Sequence, residues 1–273
     1  MSQTDQTQNC VTLSDVIVSP LVQSNNSSNL THILDNSNPF EAELADGKHK
    51  NILVIGKRAM GKSHMVKHLA NQLIATNTVQ SVIIMTNPSN DYTGFKNVQS
   101  IYLECKKEYL KQIIETQSKP DSKPILIIFD DVFGTKHVNN NDLFKQIILN
   151  GRSLLKISTI VTIQFPIGLS PEIRTNFDNV LMFYDDSNSN LKSAWNQYFG
   201  TIPTFTQFNS MIKNLNLNNW ECLCTLKNKS IPICVYTAPD SNNKKKPDTQ
   251  IKSTGIPNPP ASQKNPDNLY NLS

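Results

Sequence analysis

Runs dominated by Val, Ile and Leu recur along the middle of the chain. They are NILVIG (51–56), SVIIMTN (81–87), PILIIFDD (124–131), STIVTIQ (158–164) and NVLMFYD (179–185). Strands this rich in Val and Ile are buried on both faces, which is typical of parallel sheets covered by helices on each side. The pattern therefore predicts an α/β fold with a mainly parallel central sheet.

Helical periodicity fills most of the intervals between these runs. GKSHMVKHLANQLIATN, EYLKQIIETQ and NDLFKQIILNGRSLL repeat apolar residues at helical spacing, and SPEIRTNF (170–177) predicts a short helix. IYLEC (101–105) is a further predicted strand, and two helices are predicted in LKSAWNQYF and TFTQFNSMIKNL. ECLCTL and IPICVYTA are close enough in sequence to form a small C-terminal strand pair. Trp195 and Trp220 are expected to pack in the core of this C-terminal part.

The two ends of the chain differ from its middle in composition. Residues 1–47 are mostly Ser, Thr, Asn and Gln, with one apolar stretch, VTLSDVIVSPLVQ, and residues 239–273 are dominated by Pro, Asn and Lys. Such segments bury too little apolar surface to form a core. We therefore predict flexible ends at 1–47 and 239–273, and a single folded domain over 48–238.

Composition excludes several classes of protein. Net charge is only +4 over 273 residues, and five scattered cysteines lack metal or disulfide spacing, which predicts reduced thiols inside a cell. No run of about 18 apolar residues is present, and the start of the chain lacks a signal-peptide pattern. The expectation is an intracellular protein that is neither secreted nor stably inserted in a membrane.

The strongest motif follows the first predicted strand and opens a helix. GKRAMGKS fits the phosphate loop G-x-x-x-x-G-K-[ST], in which backbone N–H groups and the helix N-terminus surround the phosphates of a nucleotide. The lysine of the motif reaches the β- and γ-phosphates, and the serine hydroxyl binds Mg²⁺. The predicted nucleotide-binding residues are Gly56, Lys57, Arg58, Ala59, Met60, Gly61, Lys62, Ser63 and His64.

Two carboxylates end the most apolar run. In phosphate-loop NTPases the acid at this position holds Mg²⁺, and a following acid polarises the attacking water. Asp130 is the predicted metal residue beside Ser63, and Asp131 is the predicted water activator. Gln164 ends the next predicted strand, and parallel strands share one carboxyl edge. We therefore expect Gln164 beside Asp130, near the γ-phosphate.

Arginine is scarce in this chain. Only Arg58, Arg152 and Arg174 are arginines among 26 basic residues. A guanidinium grips phosphate in two places, and an arginine finger from a neighbouring subunit accelerates hydrolysis in many NTPases. Arg152 and Arg174 are the two candidates for this role, with Arg152 preferred.

The order of these motifs resembles the FtsK–HerA type genome-packaging ATPases of nucleocytoplasmic large DNA viruses and virophages. The resemblance covers about residues 50–185, through GKRAMGKS, ILIIFDD, NGRSL, STIVTIQ and LSPEIRTNF. Two positions depart from that family: Ser153 stands where many relatives carry His, and the second acid is Asp rather than Glu. The identity of the arginine finger is left open by these departures.

The resemblance implies a RecA-like (ASCE) P-loop core that hydrolyses ATP with Mg²⁺ and moves double-stranded DNA into a preformed capsid. It assigns nucleotide and metal binding to Lys62 and Ser63, metal binding to Asp130, water activation to Asp131 and γ-phosphate sensing to Gln164. It also implies a homo-oligomeric ring, a pentamer or hexamer, that contacts a capsid vertex or an inner-membrane protein. The location implied is the virion or the viral factory in the host cytoplasm.

Two other functions are consistent with the same motifs. One is a P-loop kinase of a nucleotide or small metabolite, although such kinases usually carry an arginine-rich lid that this chain lacks. A further strand between the two motif strands, SVIIMTN with IYLEC as a possible edge, also favours the RecA-like group. The other is a nucleotide-binding capsid-assembly protein with weak hydrolysis.

Overall fold

The computed structural model describes residues 38–86, 92–132, 141–217, 220–227 and 232–239. The chain divides into two units, Met1–Pro239 and Asp240–Ser273, and every described residue lies in the first. Eight strands are present in the described part: β1 (Asn51–Ile55), β2 (Ser81–Thr86), β3 (Val98–Tyr102), β4 (Ile125–Asp130), β5 (Ile157–Ile163), β6 (Asn179–Phe183), β7 (Cys222–Thr225) and β8 (Ile233–Tyr236).

Helices connect most of these strands. They are α1 (Pro39–Leu44), α2 (Lys62–Ala75), α3 (Lys107–Gln117), α4 (Asp142–Leu154), α5 (Pro171–Arg174), α6 (Asn188–Tyr198) and α7 (Phe205–Lys213). Among the described helices, none is long and apolar enough to cross a membrane.

The strands form one sheet in the order β3-β2-β4-β5-β1-β6-β7-β8. The first six strands of this order are parallel to one another. Strand β7 is antiparallel to β6, and β8 is antiparallel to β7. The predicted α/β architecture, with a mainly parallel sheet and a C-terminal strand pair, is confirmed.

The position of one predicted strand is corrected by this order. SVIIMTN corresponds to β2, which lies between the two motif strands in sequence but beyond β4 in the sheet. The strand inserted between β1 and β4 is instead β5, the strand that leads to Gln164. IYLEC contributes to β3, which is an edge strand as expected.

The core lies on both faces of the sheet, which explains the uninterrupted apolar runs. In β1, Leu53 and Ile55 join a cluster that includes residues of α3, α4, α6 and α7. Ile52 and Val54 of the same strand point to the opposite cluster, which contains the apolar residues of α1 and α2. Because successive side chains of a strand alternate between faces, both sets of positions must be apolar.

The folded domain begins earlier than the sequence predicted. Helix α1 lies within the 1–47 segment that was expected to be flexible, and its Phe40 is fully buried. The Phe40 ring meets Tyr236 of β8 edge-on at 4.8 Å between centroids. Asn38 caps the helix by accepting a hydrogen bond from the Phe40 N–H at 3.0 Å. The apolar stretch VTLSDVIVSPLVQ lies outside the described residues.

Candidate active site

The phosphate-loop motif forms the connection from β1 to α2. Lys62 is the first residue of α2, and Gly61 precedes it with φ +89°, a conformation that favours glycine. The Lys62 ammonium lies inside the loop and donates a hydrogen bond to the Lys57 carbonyl at 2.9 Å. Partial burial lowers the pKa of Lys62, while Asp131 and Asp130 oppose that shift. The loop therefore places one partly desolvated cation close to both acids.

The start of the loop is fixed by the end of β6. An added Cβ on Gly56 would stand 3.0 Å from Cβ of Phe183, so the two strands approach closely at this point. Lys57 forms an ion pair at 3.1 Å with the buried carboxylate of Asp185, and it also contacts Asp186. Asp185 was missed in the sequence, because the pairing depends on β6 lying beside β1 in the sheet.

Asp130 ends β4 and is held by two hydroxyl groups. The Thr162 hydroxyl donates to Oδ1 at 2.6 Å, and the Tyr92 hydroxyl donates to Oδ2 at 2.7 Å. Asp130 is only 5% exposed, and Tyr92 also contacts Thr86, at the end of the neighbouring strand. A carboxylate accepts about four hydrogen bonds, so both oxygens retain acceptor capacity. The two hydroxyl donors help to fix the orientation of the Asp130 carboxylate.

Asp131 follows with an unusual backbone. Its φ of +55° lies in the left-handed region, which Asp and Asn tolerate better than most residues. Its N–H donates to the Thr162 hydroxyl at 2.9 Å, and its carboxylate accepts a hydrogen bond from the Gln164 amide. The structure thus brings Gln164 to the acid pair as expected, although its contact is with Asp131 rather than Asp130.

Thr162 was not identified from the sequence. It is fully buried in β5, directly opposite Asp130 in the parallel register, and its single hydroxyl serves both acids. A detectable signal was the spacing of Thr162 and Gln164, because residues two apart in a strand share one face. Using that signal required knowing that β5 is adjacent to β4.

The oxygen donors at this edge suit a hard cation. Asp130 offers carboxylate oxygens and Ser63 offers an exposed hydroxyl in the first turn of α2, and oxygen ligands of this kind are the ones Mg²⁺ takes, usually with substrate phosphates and waters. In the described ranges, no group of three or more His, Cys, Asp and Glu could hold a metal ion by itself.

The three arginines lie in different places. Arg152, at the end of α4, forms an ion pair with Asp178, whose other oxygen accepts the Asn51 N–H at 2.9 Å. Asn51 begins β1, so Arg152 is held at the amino edge of the sheet, opposite the phosphate loop. This internal ion pair with Asp178 argues against Arg152 as the arginine finger, and the assignment of the finger stays a prediction.

Arg174 and Arg58 are placed differently. Arg174 donates to the Leu169 carbonyl at 2.7 Å from the short helix α5, which follows the carboxyl end of β5. Arg58 lies exposed in the phosphate loop, and the described residues offer it no ion pair. Of Arg152 and Arg174, Arg174 is thus the one that lies nearer the carboxyl edge of the sheet.

The two tryptophans also differ from each other. Trp195 packs against the core, and its indole N–H donates to the Ile202 carbonyl at 2.9 Å, as predicted for a core residue. Trp220 is not a core residue, because it is 39% exposed and lies against Gly61 of the phosphate loop. The prediction of core packing was wrong for Trp220.

Solved structures share this fold. The genome packaging NTPase B204 from Sulfolobus turreted icosahedral virus 2, in complex with AMP, matches with a TM-score of 0.55 and 16% identity, over 70% of this chain and 98% of B204. The conjugation coupling protein TcpA of pCW3 matches with a TM-score of 0.52 and 13% identity, over 70% of this chain and 60% of TcpA. The resemblance inferred from the motifs is confirmed at the level of fold.

Two viral proteins are similar in sequence. Protein 075L of Invertebrate iridescent virus 6 is 28% identical over 184 residues, which cover 62% of this chain and 71% of 075L. Protein L437 of Acanthamoeba polyphaga mimivirus is 28% identical over 177 residues, 59% of this chain and 62% of L437. The matched part thus spans less than two thirds of L437. No protein-family model matches the sequence.

Proposed function

We propose that this protein is an ATP-hydrolysing motor of the FtsK–HerA packaging type, which moves double-stranded DNA into a preformed viral capsid. The observation that carries the proposal is the hydrogen-bonded group at the carboxyl edge of β4 and β5. There Thr162 orients both acids, and Gln164 contacts the second one. The Lys62 ammonium lies close enough to both acids that their charges act to raise its pKa, against the larger effect of burial.

Each residue of the site has a distinct role in hydrolysis. The loop amides and Lys62 bind the phosphates in the ground state and the transition state. Asp131 accepts a proton from the attacking water, and Gln164 contacts Asp131 and the γ-phosphate or the water. Ser63 and Asp130 would hold Mg²⁺, which neutralises charge on the phosphates when it is bound. This division assigns binding to the loop and turnover to the acid pair.

Motor function requires more than one subunit in this proposal. Among the described residues, Lys62 is the cation inside the loop, and in this proposal a neighbour in a homo-oligomeric ring supplies a second one. Arg174 is our candidate for that cation, since Arg152 is bound within its own subunit. Support for a viral setting comes from the relatives in two large DNA viruses and from B204. We place the protein in the virion or viral factory, with a capsid vertex or inner-membrane protein as its anchor.

Steady-state ATP hydrolysis with and without double-stranded DNA tests the proposal. DNA should stimulate turnover of the full chain, Lys62→Ala should lose both nucleotide binding and turnover, and Asp131→Asn should bind ATP but not hydrolyse it. Lys67→Ala, five residues further along α2, is the matched control and should behave like wild type.

Three results would contradict the proposal in different ways. Phosphate transfer to a small molecule would identify a kinase, and ATP binding without turnover in the wild type would identify an assembly protein. Equal loss of ATP binding in both site variants would remove Asp131 from the proposed catalytic role.

A further inference from the structure

Trp220 lies at the same edge of the sheet as the phosphate loop. Strand β7 runs antiparallel to β6, and its first residue, Cys222, is paired with Phe183 at the end of β6. The residues just before β7 therefore lie where the parallel strands end. Trp220 stands two residues before Cys222, on a connection that returns from α7 to this edge.

The indole touches the loop itself. A Cβ added to Gly61 would stand 3.0 Å from both Cβ and Cε3 of Trp220 and 3.1 Å from its Cδ2. The ring can approach this closely only because Gly61 has no side chain. Gly61 directly precedes Lys62 and caps α2, so the indole contacts the segment whose backbone amides face the phosphates.

The conformation of Trp220 costs the fold free energy. Its φ is +54°, which bulky residues rarely adopt, and its ring remains 39% exposed. The turn is closed by hydrogen bonds from the Trp220 N–H to the Leu217 carbonyl and from the Asn216 N–H to the Glu221 carboxylate. A strained residue with an exposed aromatic ring contributes less to the core than Trp195 does, and such outliers concentrate at binding sites.

We propose that Trp220 stacks on the base of the nucleotide whose phosphates the loop binds. This inference rests on the proposed function, because it adds a base contact to that nucleotide site. The loop amides and Lys62 recognise only phosphates, whereas the base and sugar extend away from them and need a separate surface. An indole face supplies that surface through π-stacking, which tolerates any base. The substrate class is thus a nucleotide with a base, and this contact by itself discriminates little between bases.

Calorimetric titration of the full chain with ATP and with inorganic tripolyphosphate tests the base contact. Stacking of one base contributes enough that Trp220→Ala should weaken ATP binding by roughly 5- to 100-fold. Binding of tripolyphosphate, which has no base, should be unchanged. Trp220→Phe should restore most of the ATP affinity, and Leu217→Ala, which removes an exposed apolar side chain from the same turn, should match wild type for both ligands.

Other outcomes overturn the inference. Equal weakening of ATP and tripolyphosphate in Trp220→Ala would show that the indole only supports the loop backbone. Tighter binding of both ligands would show that the ring blocks the phosphate site. If the wild-type protein binds neither ligand, the proposed function itself fails, which is a different result from wild-type binding of both with no effect of Trp220→Ala.

Discussion

Arg152 and Lys227 both bind the carboxylate of Asp178, but their surroundings differ. Arg152 is mostly buried, whereas Lys227, at 2.8 Å from the same oxygen, is largely exposed. Asp178 also accepts the Asn51 N–H, which ties the start of β6 to the start of β1. We expect Arg152→Ala to lower the free energy of unfolding by about 1.5–3 kcal/mol, because it removes the less exposed of the two cations that bind Asp178.

Chemical denaturation of Arg152→Ala and of Lys227→Ala measures the free energy of unfolding that each substitution costs. Lys227→Ala is the matched control and should cost less than about 1 kcal/mol, as exposed ion pairs usually do. Basal ATP hydrolysis per folded Arg152→Ala molecule should stay near wild type. Full stability with abolished hydrolysis would instead restore Arg152 as an arginine finger.

Thr162 positions two acids with one hydroxyl group. Thr162→Val keeps the shape of the side chain but removes the donor to Asp130 and the hydroxyl acceptor of the partly buried Asp131 N–H. We expect a loss of stability of about 1–3 kcal/mol. We also expect kcat to fall roughly 10- to 100-fold, since mispositioning by an ångström can cost that much.

A fall in kcat without a fall in nucleotide affinity would show that Thr162 positions the two acids. Simple destabilisation of the fold would not separate the two quantities. ATP binding by Thr162→Val should remain close to wild type below its melting temperature, and Thr162→Ser should recover turnover because it keeps the hydroxyl. A Ser variant as slow as the Val variant would contradict the positioning role.

At the scale of elements, the junction of β6 with α6 supports the phosphate loop. Asp185 accepts hydrogen bonds from the Ser187 N–H at 2.7 Å and the Asn190 amide at 2.9 Å, and it pairs with Lys57. Asp185→Ala should therefore destabilise the protein by about 1–3 kcal/mol and weaken nucleotide binding. Asp186→Ala, which changes an exposed neighbour that also contacts Lys57, should affect neither quantity measurably.

Thermal melts and ATP titrations of these two variants provide the measurements. Asp185→Asn adds a useful intermediate, because an amide oxygen still accepts the Ser187 N–H but no longer carries charge for Lys57. Wild-type nucleotide affinity in both Asp185 variants would show that the loop does not depend on this junction.

The strands of this fold are readable from the sequence because burial on both faces requires continuous apolar runs. Their order is not readable, since β1 can pair with any apolar neighbour until the whole sheet forms. Thr162 was missed for that reason, whereas Lys62 and Asp130 were found because motif spacing marks them directly. Helix α1 was missed because Phe40 is the main apolar anchor in a polar stretch, and its partner Tyr236 lies almost two hundred residues away.

At the scale of the whole molecule, stability should depend on pH through two half-buried histidines. Burial lowers the pKa of His68, helped by His64 and opposed by Glu41, and burial with Lys156 lowers the pKa of His49. As the pH falls, the two histidines therefore take up protons in the unfolded chain near pH 6.5, before they do so in the folded protein. Stability is fully present above that pH and is lost as pH falls through the lower folded-state values.

Urea denaturation at several pH values between about 7.5 and 5.5 checks this expectation. The unfolding free energy should fall steadily towards pH 5.5. His68→Gln, which keeps a side chain able to hydrogen-bond the Tyr236 hydroxyl, should flatten the curve. An unchanged slope in that variant would exclude His68 as a source of the pH dependence.

The insertion of β5 between β1 and β4 works as a spacer. Neighbouring strands lie about 4.8 Å apart, so the phosphate loop and the acid pair start from backbones separated by about 9–10 Å. That gap is wide enough for a phosphate group and one water molecule side by side, and it is set by a hydrogen-bonded ladder rather than by flexible side chains. The spacer also carries Thr162, and Gln164 directly follows its last residue. The presence of β5 therefore sets the width of the gap, and its register decides which groups line it, because a one-residue slip would turn Thr162 to the opposite face of the sheet.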